Sequence, residues 1–192
     1  MTNTKQNFDW SGEWQGHYTY SDKFASGKLD ERPFAFTLYL TQDRNKIEGT
    51  CTDSTRTTIF RARDLMVVES QLNPKFDTSE YNRLLQQFPD AEVKQRLPEK
   101  SMIKGFSEEN KLTFTKTYVG RTVVEWRSKG RIIGNSEIEP AVIEYSGVLN
   151  PAIAELEGGW TIYRTDKFLF WNSRTAVNAG SFEIRKYPFV RG

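Results

Sequence analysis

The feature that most narrows what this chain can fold into is two-residue alternation, repeated in short segments joined by polar turns. In Phe34–Thr41, Phe34, Phe36, Leu38 and Leu40 fall on one face and Thr37 and Thr41 on the other, the pattern of a strand buried on one side. The polar turn 42–45 leads into Lys46–Cys51, and the two segments read as a hairpin. A second hairpin pairs Met102–Phe106 with Leu112–Tyr118 across the turn 107–110. Further strands are predicted at 12–20, 57–63, 122–127, 142–149, 159–164 and 180–187. Strands that follow one another without intervening helices favour an antiparallel meander over βαβ units. The expectation is a single all-β domain over residues 1–192, an antiparallel meander barrel of about 8–10 strands with one short helical insertion.

Two further patterns fit a coiled, aromatic-filled sheet. A large apolar residue is followed two positions later by glycine at Trp14/Gly16, Ile47/Gly49, Ile103/Gly105, Tyr145/Gly147 and Leu156/Gly158. Glycine weakens a strand, so its repeated use there points to barrel corners or to close approach of neighbouring backbones. Thirteen Phe, eight Tyr and five Trp make 14% of the chain, and such side chains suit a pleated, half-buried surface.

Residues 64–100 break the rhythm. Asp77-Thr78-Ser79-Glu80 has the form of a helix start, and Tyr81, Leu84, Leu85 and Phe88 follow at helical spacing before Pro89. A short amphipathic helix is predicted over about 79–88, with 91–97 continuing it after a break. An insertion of this kind serves as a lid over a ligand mouth or as a plug for a barrel end or sheet edge.

Charge and cysteine content exclude some roles. With 27 basic and 25 acidic residues the net charge is +2, too small and too dispersed for a nucleic-acid footprint. The longest apolar runs, such as Phe168–Trp171, fall far short of the ~20 residues that span a bilayer. The polar N-terminus carries no secretory signal, and the single cysteine, Cys51, allows no internal disulfide. A cytoplasmic location is the resulting expectation.

The first strand contains Gly12-Glu13-Trp14, which resembles the Gly-x-Trp signature opening the first strand of the calycin superfamily (lipocalins, fatty-acid-binding proteins and avidin-like barrels). The resemblance implies a barrel with an internal cavity. It also implies that Trp14 closes one end, with a basic residue of the last strand packing across the indole. Arg185 is the matching candidate, and an Arg over an indole face contributes ~0.5–2 kcal/mol.

No recognised catalytic or metal constellation accompanies this frame. One histidine and one cysteine make no familiar zinc site, no cofactor is implied, and no phosphate-binding glycine loop or Gly-x-Ser-x-Gly elbow occurs. Parity places His17 opposite to Trp14 and Tyr18, facing outward, and Cys51 inward as an inert core residue. Lys116 shares parity with Phe114 and Tyr118, and Lys186 with Phe182 and Ile184. Each is expected to reach the barrel rim; the sharper alternative is a buried counter-ion for an anionic ligand. Tyr18, Tyr20, Tyr39, Phe114, Tyr118, Trp126 and Trp160, together with Lys116, are the candidate pocket lining. The aromatic stretch 166–172 reads as a buried strand or as an exposed gripping loop.

Three functions fit these residues. One is binding of a small, mainly hydrophobic ligand inside the barrel. A second is a non-catalytic interaction or structural module with a filled barrel. A third is an enzyme using polar groups in the interior.

Overall fold

The computed structural model describes residues 8–23, 32–72, 77–139, 141–167 and 172–187. In chain order the elements begin with β1 (Gly12–Tyr20), β2 (Phe34–Asp43), β3 (Lys46–Asp53) and β4 (Thr57–Arg61). Two helices follow, α1 (Ala62–Leu72) and α2 (Ser79–Gln87). Next come β5 (Glu92–Arg96), β6 (Ser101–Glu108), β7 (Lys111–Tyr118) and β8 (Thr122–Ser128). The last four are β9 (Arg131–Ile138), β10 (Val142–Asn150), β11 (Glu155–Lys167) and β12 (Asn172–Lys186).

Eight strands close into an antiparallel barrel in the order β1-β12-β11-β10-β7-β6-β3-β2. Closure comes from the pairing of the first strand with the last, Trp14 opposite Lys186 and Tyr18 opposite Phe182, so the barrel has no free edge. The predicted parity holds. Phe34, Phe36, Leu38 and Leu40 are buried, while Tyr39 between them is 50% exposed and lies on the outer wall rather than in a pocket. The glycines at the second position of each short pattern sit where backbones cross closely. A Cβ on Gly16, Gly49, Gly105 or Gly158 would lie 1.9–2.2 Å from a carbonyl oxygen of the adjacent strand, which only the missing side chain permits.

Trp14 is fully buried and closes one end. Gly12, at φ +120°, turns the chain so that the preceding residues fold back over the opening, a conformation that strains any residue with a Cβ. Trp10 then stacks on Trp14 (centroids 5.6 Å apart) and accepts the indole N–H at its carbonyl (2.9 Å). Arg185 does not cover the indole. Its side chain is 65% exposed and pairs with Glu155 and Glu183 on the outer wall. Lys186, one residue further and of the inward parity, takes the basic position instead: it donates to the Asp9 carbonyl (2.6 Å) and lies 5.3 Å from the centre of the Phe8 ring.

The remaining strands form a second sheet, β4-β5-β8-β9. It is built from two excursions, one between β3 and β6 and the other between β7 and β10, and all four of those strands are neighbours in the barrel. The excursions leave from the same end, opposite Trp14, so their strands meet and pair. The excursion that carries residues 64–100 therefore supplies half of this sheet, β4 and β5, together with both helices, rather than a lone helical insertion. The predicted helix is present as α2, but Glu92–Arg96 is a strand and not its continuation, because Val93 alternates into the sheet core between β4 and β8. Trp126, expected in the barrel, belongs to this second sheet and meets the Tyr81 ring of α2 (4.9 Å). The apolar stripe of α2 (Leu84, Leu85), continued by Phe88 at its C-terminal cap, packs with Leu65 of α1 on Val93 and Val124. Residues 168–171, the core of the aromatic stretch, lie outside the described residues. No helix among those described is long and apolar enough to cross a membrane.

Candidate functional site

The barrel is solid below and hollow at the covered end. Its lower layers are filled by Leu38, Ile47, Ile103, Leu112, Leu156 and Ile184, all fully buried. Above them Phe114 and Tyr145 stack at 4.7 Å and 4°. Next toward the second sheet comes a cavity of about 270 Å³. Tyr18, Tyr145, Ile143 and Trp160 wall it from the barrel, and Phe60, Leu65 and Leu97 wall it from the cover. Leu97 also packs on the barrel core itself, so the cover is seated on the mouth.

Several of the candidate pocket residues converge here. Tyr18, Tyr20, Lys116, Tyr118 and Trp160 all line the cavity. Phe114 supports the floor from one layer below, whereas Tyr39 and Trp126 lie elsewhere. Tyr18, Tyr20, Phe34 and Trp160 form an aromatic group with ring centroids 5.2–6.0 Å apart. The Trp160 indole N–H is already engaged, donating to the Thr19 carbonyl (3.1 Å).

Lys116 is not a rim lysine. It is 1% exposed, and its ammonium donates to both carboxylate oxygens of Asp53, at 2.6 and 2.7 Å. Tyr118 donates its hydroxyl to the same carboxylate (2.8 Å). The strand ends explain the meeting. β6 begins at Ser101, opposite Cys51, so Asp53 runs on past the last β3–β6 pair and meets the side chains of β7. The ammonium also lies 4.9 Å from the centre of the Tyr118 ring and 5.8 Å from those of Tyr18 and Phe36, contacts that favour a cation in a dry site. Sequence reasoning placed Lys116 on the inner face but missed its partner. Asp53 shares the inward parity of Ile47 and Cys51, and that was the available signal.

Burial pushes the Tyr18, Tyr118 and Tyr145 hydroxyls well above the ordinary phenol range, with the Asp53 charge adding to the effect at each. The site therefore presents neutral phenols next to a closed ion pair. Burial likewise raises the Cys51 thiol to about 11, against the opposing influence of Lys116. His17 is exposed on the outer wall, so the two cannot act as a nucleophilic pair. Cys51 is expected to resist iodoacetamide at pH 8 for as long as the fold persists and to react within minutes once unfolded in urea. Rapid labelling of the native protein, followed by mass spectrometry, would contradict its enclosure.

In comparisons with protein-family models, curated proteins and solved structures, nothing matches the chain.

Proposed function

We propose that this chain is a calycin-like binding protein that holds a small, compact, mainly apolar ligand in the covered mouth of its barrel. The observation that carries this reading is the cavity itself. About 270 Å³ is space that a close-packed core would fill. Its walls are largely aromatic and aliphatic, with a smaller number of polar groups among them, the usual composition of a ligand site. The volume lies near the lower end of ligand pockets, roughly 300–1,000 Å³, which favours a one- or two-ring compound over a long acyl chain. The Gly12-Glu13-Trp14 opening and the closed eight-stranded meander support the calycin likeness. The second sheet gives this barrel a cover made by two separate excursions of the chain.

The test is calorimetric titration with 2-naphthol, a two-ring probe of suitable size, with binding expected at a Kd on the order of 10–100 µM. Ile162, half-buried on β11, lines the same space. Ile162→Trp is expected to fill part of it, weakening the probe at least about tenfold while moving the melting temperature little. Failure of the native protein to bind, together with native mass spectrometry showing no co-purifying compound, would contradict the reading.

A further inference from the structure

We infer that the covered cavity selects ligands whose polar end is a neutral hydrogen-bonding group, such as an amide, ketone or alcohol, over ligands ending in a carboxylate. This rests on the cavity being a ligand site, as proposed above, and adds the chemical class of its occupant. The buried lysine suggests an anion receptor at first sight. A lysine serves as one when its charge is uncompensated, and that of Lys116 is not. Asp53 is enclosed beside it, with both side chains at most 2% exposed and the closest approach 2.6 Å. Tyr118 occupies a further position on the same carboxylate.

A ligand carboxylate drawn to Lys116 would shed its water and come to rest almost as near to the Asp53 anion as to the ammonium. In a poorly solvated interior the two influences largely cancel, and the cost of dehydrating the ion goes uncompensated. The other charged residue lining the cavity, Glu139, is itself acidic and exposed, paired with Arg121. A neutral polar group sheds its water far more easily. Tyr18 and Tyr145 border the cavity with neutral phenol groups. Held protonated by burial, they can donate to a neutral oxygen or accept from an amide.

The experiment compares 2-naphthamide with 2-naphthoate, which share a ring system and nearly a shape, by calorimetric titration of the native protein at pH 7. The amide is expected to bind at least tenfold more tightly. In Asp53→Asn, whose fold is checked by circular dichroism, the Lys116 charge is no longer cancelled, and the preference is expected to narrow or reverse. Equal affinities in the native protein, or tighter binding of the naphthoate, would overturn the selectivity while leaving ligand binding intact. So would an unchanged preference in a folded Asp53→Asn protein. Binding of neither compound while 2-naphthol still binds would overturn the selectivity alone, and failure of 2-naphthol as well would remove the ligand site with it.

Discussion

Asp53→Ala is expected to destabilise the protein by about 3–5 kcal/mol, because it strands the ammonium of Lys116 inside the barrel. The pair sits among Tyr18, Phe36 and Tyr118, with both members almost wholly removed from solvent, so water cannot take over the lost contact. A domain of this size has only about 5–15 kcal/mol of stability, and the single change is a large fraction of it. The charges themselves contribute much less than that figure suggests. Replacing all three members of the cluster together, as Asp53→Leu, Lys116→Met and Tyr118→Phe, removes every buried polar atom of the group at once. That variant is expected to stay within roughly 1 kcal/mol of the native protein, since a buried ion pair and an apolar substitute of similar volume are commonly near balance. Urea unfolding of the single and triple variants tests both statements. A loss below about 1 kcal/mol in Asp53→Ala would mean that water reaches Lys116 from the cavity.

Trp14→Ala is expected to cost a similar amount, about 3–5 kcal/mol, for a different reason. The indole is fully buried and forms the platform on which Trp10 and, at 6.0 Å, Phe8 rest. Its removal leaves a hole at the closed end and deprives the Trp10 carbonyl of its donor. Trp14→Phe keeps the ring contact but not the N–H, and is expected to cost about 1–3 kcal/mol. Arg185→Ala separates the family expectation from the observed geometry. Exposed and paired only on the outer wall, it should shift stability by no more than about 0.5 kcal/mol. A loss above 2 kcal/mol would restore a role for Arg185 over the indole. Because Trp14 and the cavity lie at opposite ends, folded Trp14→Phe should bind the naphthyl probes as the native protein does.

How much of the fold could be read in advance depended on the range of the interaction involved. Phe34, Phe36, Leu38 and Leu40 declared their face because the period of a strand is local. The helix α2 was legible from Tyr81, Leu84, Leu85 and Phe88 for the same reason. The segment 91–97 reads equally well as helix or strand, because a short stretch with only Ala91 and Val93 deeply buried does not distinguish the two. Only pairing with β4 and β8 decided it. Helix α1 and strand β9 went unrecognised. The stripe of α1 is weak, and β9 is an edge strand whose residues are mostly exposed, so neither carries a strong apolar pattern. Trp126 reads as a barrel residue because nothing in 122–127 distinguishes a strand of one sheet from a strand of another.

The candidate site was legible in its members and not in its arrangement. Parity puts Lys116 on one face with Phe114 and Tyr118, and Tyr18 and Tyr20 on the face of Trp14, whereas Trp160 is nominated only by the suitability of its side chain for a pocket wall. The Lys116–Asp53 contact joins residues 63 positions apart on strands that are not neighbours in the barrel, so no spacing along the chain encodes it. The cover is likewise invisible until the order β10-β7-β6-β3 brings the two excursions to one end.

By itself the sequence determined that the chain forms alternating strands, that these are joined as an antiparallel meander, and which side chains face inward, because backbone geometry gives each strand a period of two wherever it lies. The tertiary structure alone decided that Lys116 meets Asp53, that Lys186 rather than Arg185 takes the basic position at the closed end, and that a second sheet roofs the opposite one. Those outcomes depend on ring order and strand stagger, which arise only when distant segments pack and no single segment contains them.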